Sequence, residues 1–178
     1  MSKMFGQLLG LGLLSTIVTS VSSHYVFAGD AELLARLNEL ANLARFEKYE
    51  TVDDKDTVIK FSEIKPAWIL YSSDQKAGKS STAKLAAIGP EKLQKAGVLV
   101  VANVRPIPFF IKPIVYSKLR SSAFRTVLNK DESVFDLVET KEAELTVLKL
   151  NWSQKLIIES VSHWNPEKEA APKDIALP

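Results

Sequence analysis

Apolar residues recur along the chain at two spacings, and each spacing predicts a type of secondary structure. Between residues 29 and 46 they recur every three or four positions, which predicts a helix. Residues 47–52 and 57–61 alternate around an acidic turn, so a β-hairpin is expected there. Residues 68–71 and 98–104 are continuous apolar runs, typical of central strands covered on both faces. The helical repeat consists of Leu33, Leu34, Leu37, Leu40, Ala41 and Ala44.

The second half of the chain continues the alternation of helices and strands. Pro and Gly divide it into segments, because proline disfavours helix before it and glycine ends helices. The final residues, 165–178, contain three prolines and mixed charges, which predicts a mobile C-terminal tail. The pattern predicts helices over 81–96 and 109–119, and strands over 124–128, 144–150 and 155–162.

The order of these segments predicts an α/β fold with a mixed central sheet, flanked by helices and preceded by a β-hairpin. Two strand–helix–strand connections imply parallel neighbours with right-handed crossovers, and the last two strands form an antiparallel hairpin. The 178 residues, 46% hydrophobic and 25% charged, suit one globular domain over residues 29–164. A net charge of +2 gives no general attraction to nucleic acid.

Residues 1–28 have the composition of a secretory signal peptide. Lys3 precedes an apolar run over residues 8–18, and Val26 and Ala28 stand where signal peptidase requires small or β-branched side chains. The run is shorter than the roughly 20 residues of a membrane-spanning helix. Cleavage after Ala28 would release the folded part into the periplasm. An uncleaved segment would instead make the protein a membrane-tethered accessory protein of the envelope.

The chain contains no cysteine, and this excludes several chemistries at once. Disulfides, thiol nucleophiles, thiolate zinc sites and iron–sulfur ligation all require cysteine. The two histidines, His24 and His163, are too few for a histidine-rich metal site, and His163 is the only base for a serine triad in the mature chain. No cofactor and no metal site is therefore predicted.

Four segments, taken in order, carry a family resemblance. They are 68–74, 93–104 (LQKAGVLVVANV), 107–119 (IPFFIKPIVYSKL) and 124–131 (FRTVLNKD). Over about residues 60–165 the chain resembles the periplasmic thioredoxin-like proteins of proteobacteria, and its first hairpin is similar to that of peroxiredoxin-like exported domains. The resemblance implies a thioredoxin-like fold. Some of these proteins carry a flavin-dehydrogenase label, but no glycine-rich dinucleotide fingerprint follows any predicted strand.

The resemblance also shows what this chain lacks. Redox-active thioredoxin-like proteins place a Cys-x-x-Cys after the first central strand, where the helix start lowers the thiol pKa. Gln75 and Gly78 occupy roughly those positions here. A cis-proline usually precedes the facing strand, and residues 121–124, assigned to that place, contain no proline. Thiol–disulfide oxidoreductase activity is therefore excluded.

The loop after the first central strand is a candidate interaction or anion-binding loop. Gly-Lys-Ser before a helix resembles the end of a phosphate-binding loop, but that motif requires glycine where Ser73 stands. Backbone amides at the helix start, together with two lysines, can hold a generic anion. A solvated turn is the alternative, and the spacing favours it. The candidate residues are Asp74, Gln75, Lys76, Gly78 and Lys79.

Residues 105–125 combine aromatic and basic side chains, and two interpretations remain open. One is a surface for a protein partner or for anionic lipid headgroups. The other, favoured by the spacing, is a core helix that packs apolar positions 110, 111, 114, 115 and 119 against the sheet. The candidate partner face comprises Arg105, Phe109, Phe110, Lys112, Tyr116, Lys118 and Arg120.

Two weaker candidates are an acidic turn and a histidine. Asp53, Asp54 and Asp56 can in principle hold a hard cation, but the glycine of a calcium loop is missing, and a solvated turn is favoured. His163 at the end of the last strand is expected to be an edge residue. No serine lies in a nucleophile elbow, so no catalytic residue is assigned.

The leading hypothesis is a non-catalytic periplasmic binding protein that uses a thioredoxin-like scaffold. An envelope protein is the expected partner, nucleic acid is not, and membrane is expected only if the N-terminal segment is retained. The alternative is a cysteine-independent enzyme or a cofactor-binding protein, which requires convergent polar groups in a pocket.

Overall fold

The computed structural model describes residues 28–42, 50–53, 55–131 and 134–176. The helices are α1 (Ala28–Asn42), α2 (Phe61–Ile64), α3 (Gln75–Ile88), α4 (Pro90–Lys95), α5 (Lys112–Arg120) and α6 (Lys173–Ala176), with a 3₁₀ helix at Val134–Leu137. The strands are β1 (Glu50–Val52), β2 (Val58–Lys60), β3 (Trp68–Ser72), β4 (Val98–Asn103), β5 (Thr126–Asn129), β6 (Leu145–Asn151) and β7 (Ile157–Trp164).

All seven strands belong to one sheet with the order β2-β1-β5-β4-β3-β6-β7. Strands β3, β4 and β5 are parallel, whereas β1, β2, β6 and β7 pair antiparallel with their neighbours. The predicted α/β class, the mixed central sheet and the N-terminal hairpin are confirmed. Within the sheet, β4-β3-β6-β7 have the order and directions of a thioredoxin-like fold.

Helices cover both faces of the sheet because the side chains of β3 and β4 alternate between two cores. Ile69 and Tyr71 point to one core, and Leu70 points to the other. The first core is closed by Leu37 of α1, Phe61 of α2 and Phe135 of the 3₁₀ helix. The second is closed by Ala77 and Leu85 of α3, Leu93 of α4 and Ile175 of α6.

Helix α1 also covers part of the edge strand β7. The side-chain nitrogen Nδ2 of Asn38 donates to the backbone carbonyl of Ile158 at 2.9 Å, and the backbone N–H of Ile158 donates to the side-chain oxygen Oδ1 of Asn38 at 2.8 Å. The side chain thus takes the place of a neighbouring strand at this point. An edge covered in this way is protected against pairing with another chain.

Helix α3 begins at Gln75, six residues before the predicted start, because Asp74 acts as its N-cap. The sequence pattern around residues 75–80 is polar, so apolar spacing alone did not reveal the first turns. The predicted helix over 81–96 is divided in the structure: Gly89, with φ +96°, ends α3, and Pro90 opens α4.

The C-terminal segment packs on the domain, so the prediction of a mobile tail is wrong for residues 165–176. Asn165 and Pro166 are buried, and Ile175 has no exposed surface. Ile175 lies in the same core as Leu70 and Trp164. The apolar residues of this segment are few, which is why its composition was typical of disorder although its anchoring residue is buried.

The predicted signal peptide falls almost entirely on residues 1–27, which lie outside the described residues. Its cleavage after Ala28 therefore stays a prediction. Within the part of the chain that the structure describes, no helix is both long and apolar enough to cross a membrane.

Candidate functional site

The carboxylate of Asp74 caps the start of α3. One carboxylate oxygen accepts from the amides of Lys76 at 2.8 Å and Ala77 at 2.9 Å, as an N-cap does. The other accepts from the amide of Ala143 at 3.1 Å, in the segment before β6. A negative charge thus already occupies the position where the helix dipole would favour a thiolate or a bound anion.

Hydroxyl groups in the first turns of α3 donate to the backbone of the helix. Ser80 donates to the Lys76 carbonyl at 2.9 Å, and Thr82 donates to the Gly78 carbonyl at 2.7 Å. Gly78 packs close to Ser72: a Cβ at residue 78 would lie 3.2 Å from the Ser72 hydroxyl oxygen, which would have to shift by a few tenths of an ångström. Both hydroxyl groups therefore donate to carbonyl groups of the helix, and Ser80 is not arranged as a nucleophile.

The segment facing this loop is not the predicted one. Strand β6 runs antiparallel to β3 and pairs Leu145 with Ser72, so residues 141–144 face the start of α3. Residues 121–124 precede β5 and lie at the opposite end of the parallel strands, where the Val100 amide donates to the Arg125 carbonyl. The assignment of 121–124 was wrong because β6, not β5, pairs with β3. The absence of proline still holds, since residues 141–144 contain none.

The other candidates of this loop are solvent-facing. Gln75 and Lys79 are exposed, and Lys76 lies 3.7 Å from the Glu167 carboxylate. Exposed ion pairs of this kind contribute little to stability or specificity. With two amides taken by Asp74, the anion-binding loop stays a prediction that the geometry does not strengthen.

The carboxyl ends of the parallel strands meet at one edge, where open α/β sheets often bind ligands. Tyr71 and Asn129 are both buried there, and their side chains are hydrogen-bonded. Phe135 stacks on Tyr71 with ring centroids 4.6 Å apart. Burial raises the pKa of Tyr71; the Asn129 hydrogen bond and Arg105 oppose this, and Asp136 adds to it. The phenol is therefore neutral at physiological pH and is part of the core.

Two members of the predicted partner face, Arg105 and Tyr116, have partners within the fold. Arg105 forms an ion pair and hydrogen bond with Asp136, which ties the loop after β4 to the 3₁₀ helix. Lys130 lies over the Tyr116 ring at 5.4 Å and also pairs with Asp56. Arg105 and Tyr116 therefore contact other residues of the fold, and the exposed part of the partner face is formed by its other members.

The aromatic residues of the partner face are exposed, and the core-helix interpretation of residues 109–119 is wrong. Phe109 is 82% exposed, Phe110 66% and Ile114 59%. No residue of α5 is buried, although Val115 and Leu119 are half-buried along its inner side. The spacing of apolar residues was compatible with a core helix, but spacing alone could not show whether another element covers that face of the helix. Lys118 and Arg120 are exposed and Lys112 is half-buried.

The charge distribution around α5 was missed when the sequence was read for net charge alone. Residues 92–130 contain eight Lys or Arg and no Asp or Glu, so the remainder of the chain carries a net charge of −6. This separation is a sequence signal, because charge asymmetry between segments indicates an interaction with an acidic surface. The basic segment includes the exposed apolar residues.

The weaker metal candidates gain no support. The carboxylate of Asp53 accepts from the amides of Lys55 and Thr57, both at 2.8 Å, within its own turn. Asp54 lies outside the described residues, and His163 is half-buried on β7. No group of three His, Cys, Asp or Glu side chains suited to a metal occurs within the described part of the chain.

No protein-family profile and no curated protein matches this chain. Among solved structures, a hypothetical protein from Sinorhizobium meliloti 1021 is 13% identical with a TM-score of 0.39, covering 63% of this chain and 66% of that chain. A SCO1/SenC family lipoprotein from Bacillus anthracis strain Ames is 11% identical with a TM-score of 0.41, covering 74% and 90%. These likenesses are too distant to transfer a function, and the strand order establishes the fold.

Proposed function

We propose that this protein is a non-catalytic binding protein that acts outside the cytoplasm. Its interaction surface, called here the α5 surface, consists of Phe109, Phe110, Ile111, Ile114 and Lys118. The observation that carries the proposal is the exposure of these apolar side chains next to a helix with no buried residue. A contiguous exposed apolar group of this kind in a folded domain marks an interaction site.

The start of α3 is unsuited to thiol chemistry. Asp74 bonds the amides of Lys76, Ala77 and Ala143, and the chain has no thiol. The N-terminal composition of residues 1–28 supports export to the periplasm. In this proposal the central sheet stabilises the fold, and the α5 surface contacts the partner.

A photoreactive residue tests the proposal in intact cells. Benzoylphenylalanine replaces Phe109 in one variant and Ser153 in a control, since Ser153 lies in the exposed β6–β7 turn at the opposite edge of the sheet. We expect illumination to give one dominant adduct from position 109, identified by mass spectrometry as a single protein or a phospholipid. Equal or absent adducts at both positions would contradict the proposed function.

A further inference from the structure

The loop before α5 forms an apolar tip. Phe109 and Phe110 contact each other edge to face, with ring centroids 5.6 Å apart, and Ile114 follows on the outer side of the first helical turn. The Pro108 carbonyl accepts from the amides of Ile111 and Lys112, which ties the tip to the helix. Aromatic and aliphatic side chains leading a helix are suited to the boundary between lipid headgroups and acyl chains.

Lysine side chains follow the apolar tip at a distance that suits the headgroup phosphates of a bilayer. Lys118 lies one turn after Ile114 on the exposed side of α5, about 6 Å along the axis at 1.5 Å per residue. Interfacial segments enter a bilayer by roughly 5–10 Å, so an inserted tip leaves Lys118 at the level of the phosphates. Among the described residues, no carboxylate pairs with Lys112 or Lys118.

The lysines beside the apolar tip favour a bilayer over a protein partner. The four apolar side chains of the α5 surface present roughly 490 Å², taking about 200 Å² for each large side chain and its exposed fraction. A stable protein interface buries roughly 800 Å² on each partner, a little over half of it non-polar, so this area suits either partner, but lysine is depleted from the centre of such an interface. A bilayer needs no complementary surface, and its anionic headgroups attract lysine and arginine.

We propose that the α5 surface binds an anionic phospholipid bilayer. Phe109, Phe110 and Ile114 enter the interface, while the side chains of Lys112 and Lys118 reach the headgroup phosphates. Residues 92–130 contain no Asp or Glu, so no acidic residue of this segment offsets the two lysines. This inference rests on the proposed function and names the partner of its surface.

The test uses the absence of cysteine to place one fluorophore at a time on the full chain. Ile111→Cys carries an environment-sensitive label at the tip and leaves both phenylalanines intact, and Ser153→Cys carries the same label at the opposite edge. Both proteins contain residues 1–28, so any insertion of that segment is common to them. We expect a blue shift at position 111 with phosphatidylglycerol vesicles and none with phosphatidylcholine vesicles, while position 153 stays in water.

Charge variants then separate the α5 surface from general attraction. Lys112→Gln and Lys118→Gln together remove two cations beside the tip. A matched control removes two exposed cations elsewhere, through Lys155→Gln and Lys168→Gln. At about fivefold per cation near an anionic membrane, we expect the first pair to weaken vesicle binding by roughly 25-fold at low salt, and the control far less.

Each outcome decides the proposal. A label at position 111 that stays in water with phosphatidylglycerol vesicles at low salt overturns it, as do equal effects of the two pairs of charge variants. If Phe109 crosslinks to one protein in cells while the label stays in water, the bilayer is wrong and the proposed function stands. If neither the crosslink nor the shift occurs, both are wrong.

Discussion

At the residue scale, Asp74 links two parts of the sheet edge that are remote in sequence. Its carboxylate caps α3 and also accepts from Ala143, which is buried and has a positive φ of 62°. A non-glycine residue in that conformation is costly, so the surrounding contacts must stabilise it. The Asp74 bond is one of those contacts.

Replacement of Asp74 by alanine should destabilise the domain by about 2–4 kcal/mol. The loss combines an N-cap, worth about 1 kcal/mol, with a buried amide at Ala143 left without its acceptor, worth about 1–3 kcal/mol. Asp74→Asn retains one acceptor oxygen and should cost roughly half as much. The free energy of unfolding in urea measures both, with exposed Asp131→Ala as the control. A loss for Asp74→Ala no larger than that of the control would contradict the assigned role.

At the element scale, α5 and α6 show why helical spacing does not predict burial. Helix α5 has nine residues and buries none, whereas the four-residue α6 buries Ile175 completely. Spacing indicates which side chains share a face, but a face is buried only where another element lies against it. The sequence therefore predicted a helix at 109–119 correctly and its environment wrongly.

Ile175→Ala should destabilise the protein by about 3 kcal/mol, because removing a fully buried aliphatic side chain costs its transfer energy and leaves a cavity. Lys173→Ala in the same helix is exposed and should change stability by less than about 0.5 kcal/mol. Thermal and urea unfolding of the two variants measure the difference. Equal stabilities would show that the C-terminal segment does not contribute to the core.

At the scale of the whole molecule, three pKa shifts predict how stability depends on pH. Hydrogen bonds from Asn151 and Lys149 lower the pKa of Glu159. For Asp53, burial raises the pKa, but hydrogen bonds within its turn outweigh this and the net shift is downward. Both carboxylates therefore contribute stability that is present above their usual pKa of about 4 and is lost as pH falls through the lowered values.

Ionisation of Tyr71 affects the stability at alkaline pH, because its pKa is raised and not lowered. Because burial raises its pKa above the usual value of about 10, its contribution is complete below pH 10 and is lost as pH rises through the raised value. Urea midpoints should thus be flat between about pH 5 and 9 and fall on both sides. Tyr71→Phe should be less stable at neutral pH, but its midpoint should fall less steeply above pH 10. Parallel alkaline curves would contradict this.

Local pattern by itself determined the strands, most helices and the α/β class. Continuous apolar runs such as 68–71 require burial on both faces in almost any fold, and the absence of cysteine excludes thiol chemistry whatever the fold. Tertiary structure alone decided that Asp74 meets Ala143, that Ile175 is buried and that Phe109 is exposed. These features depend on which remote segments lie together; for Asp74 and Ala143, the pairing of β6 with β3 sets that arrangement. Spacing along one segment carries no information about its partners.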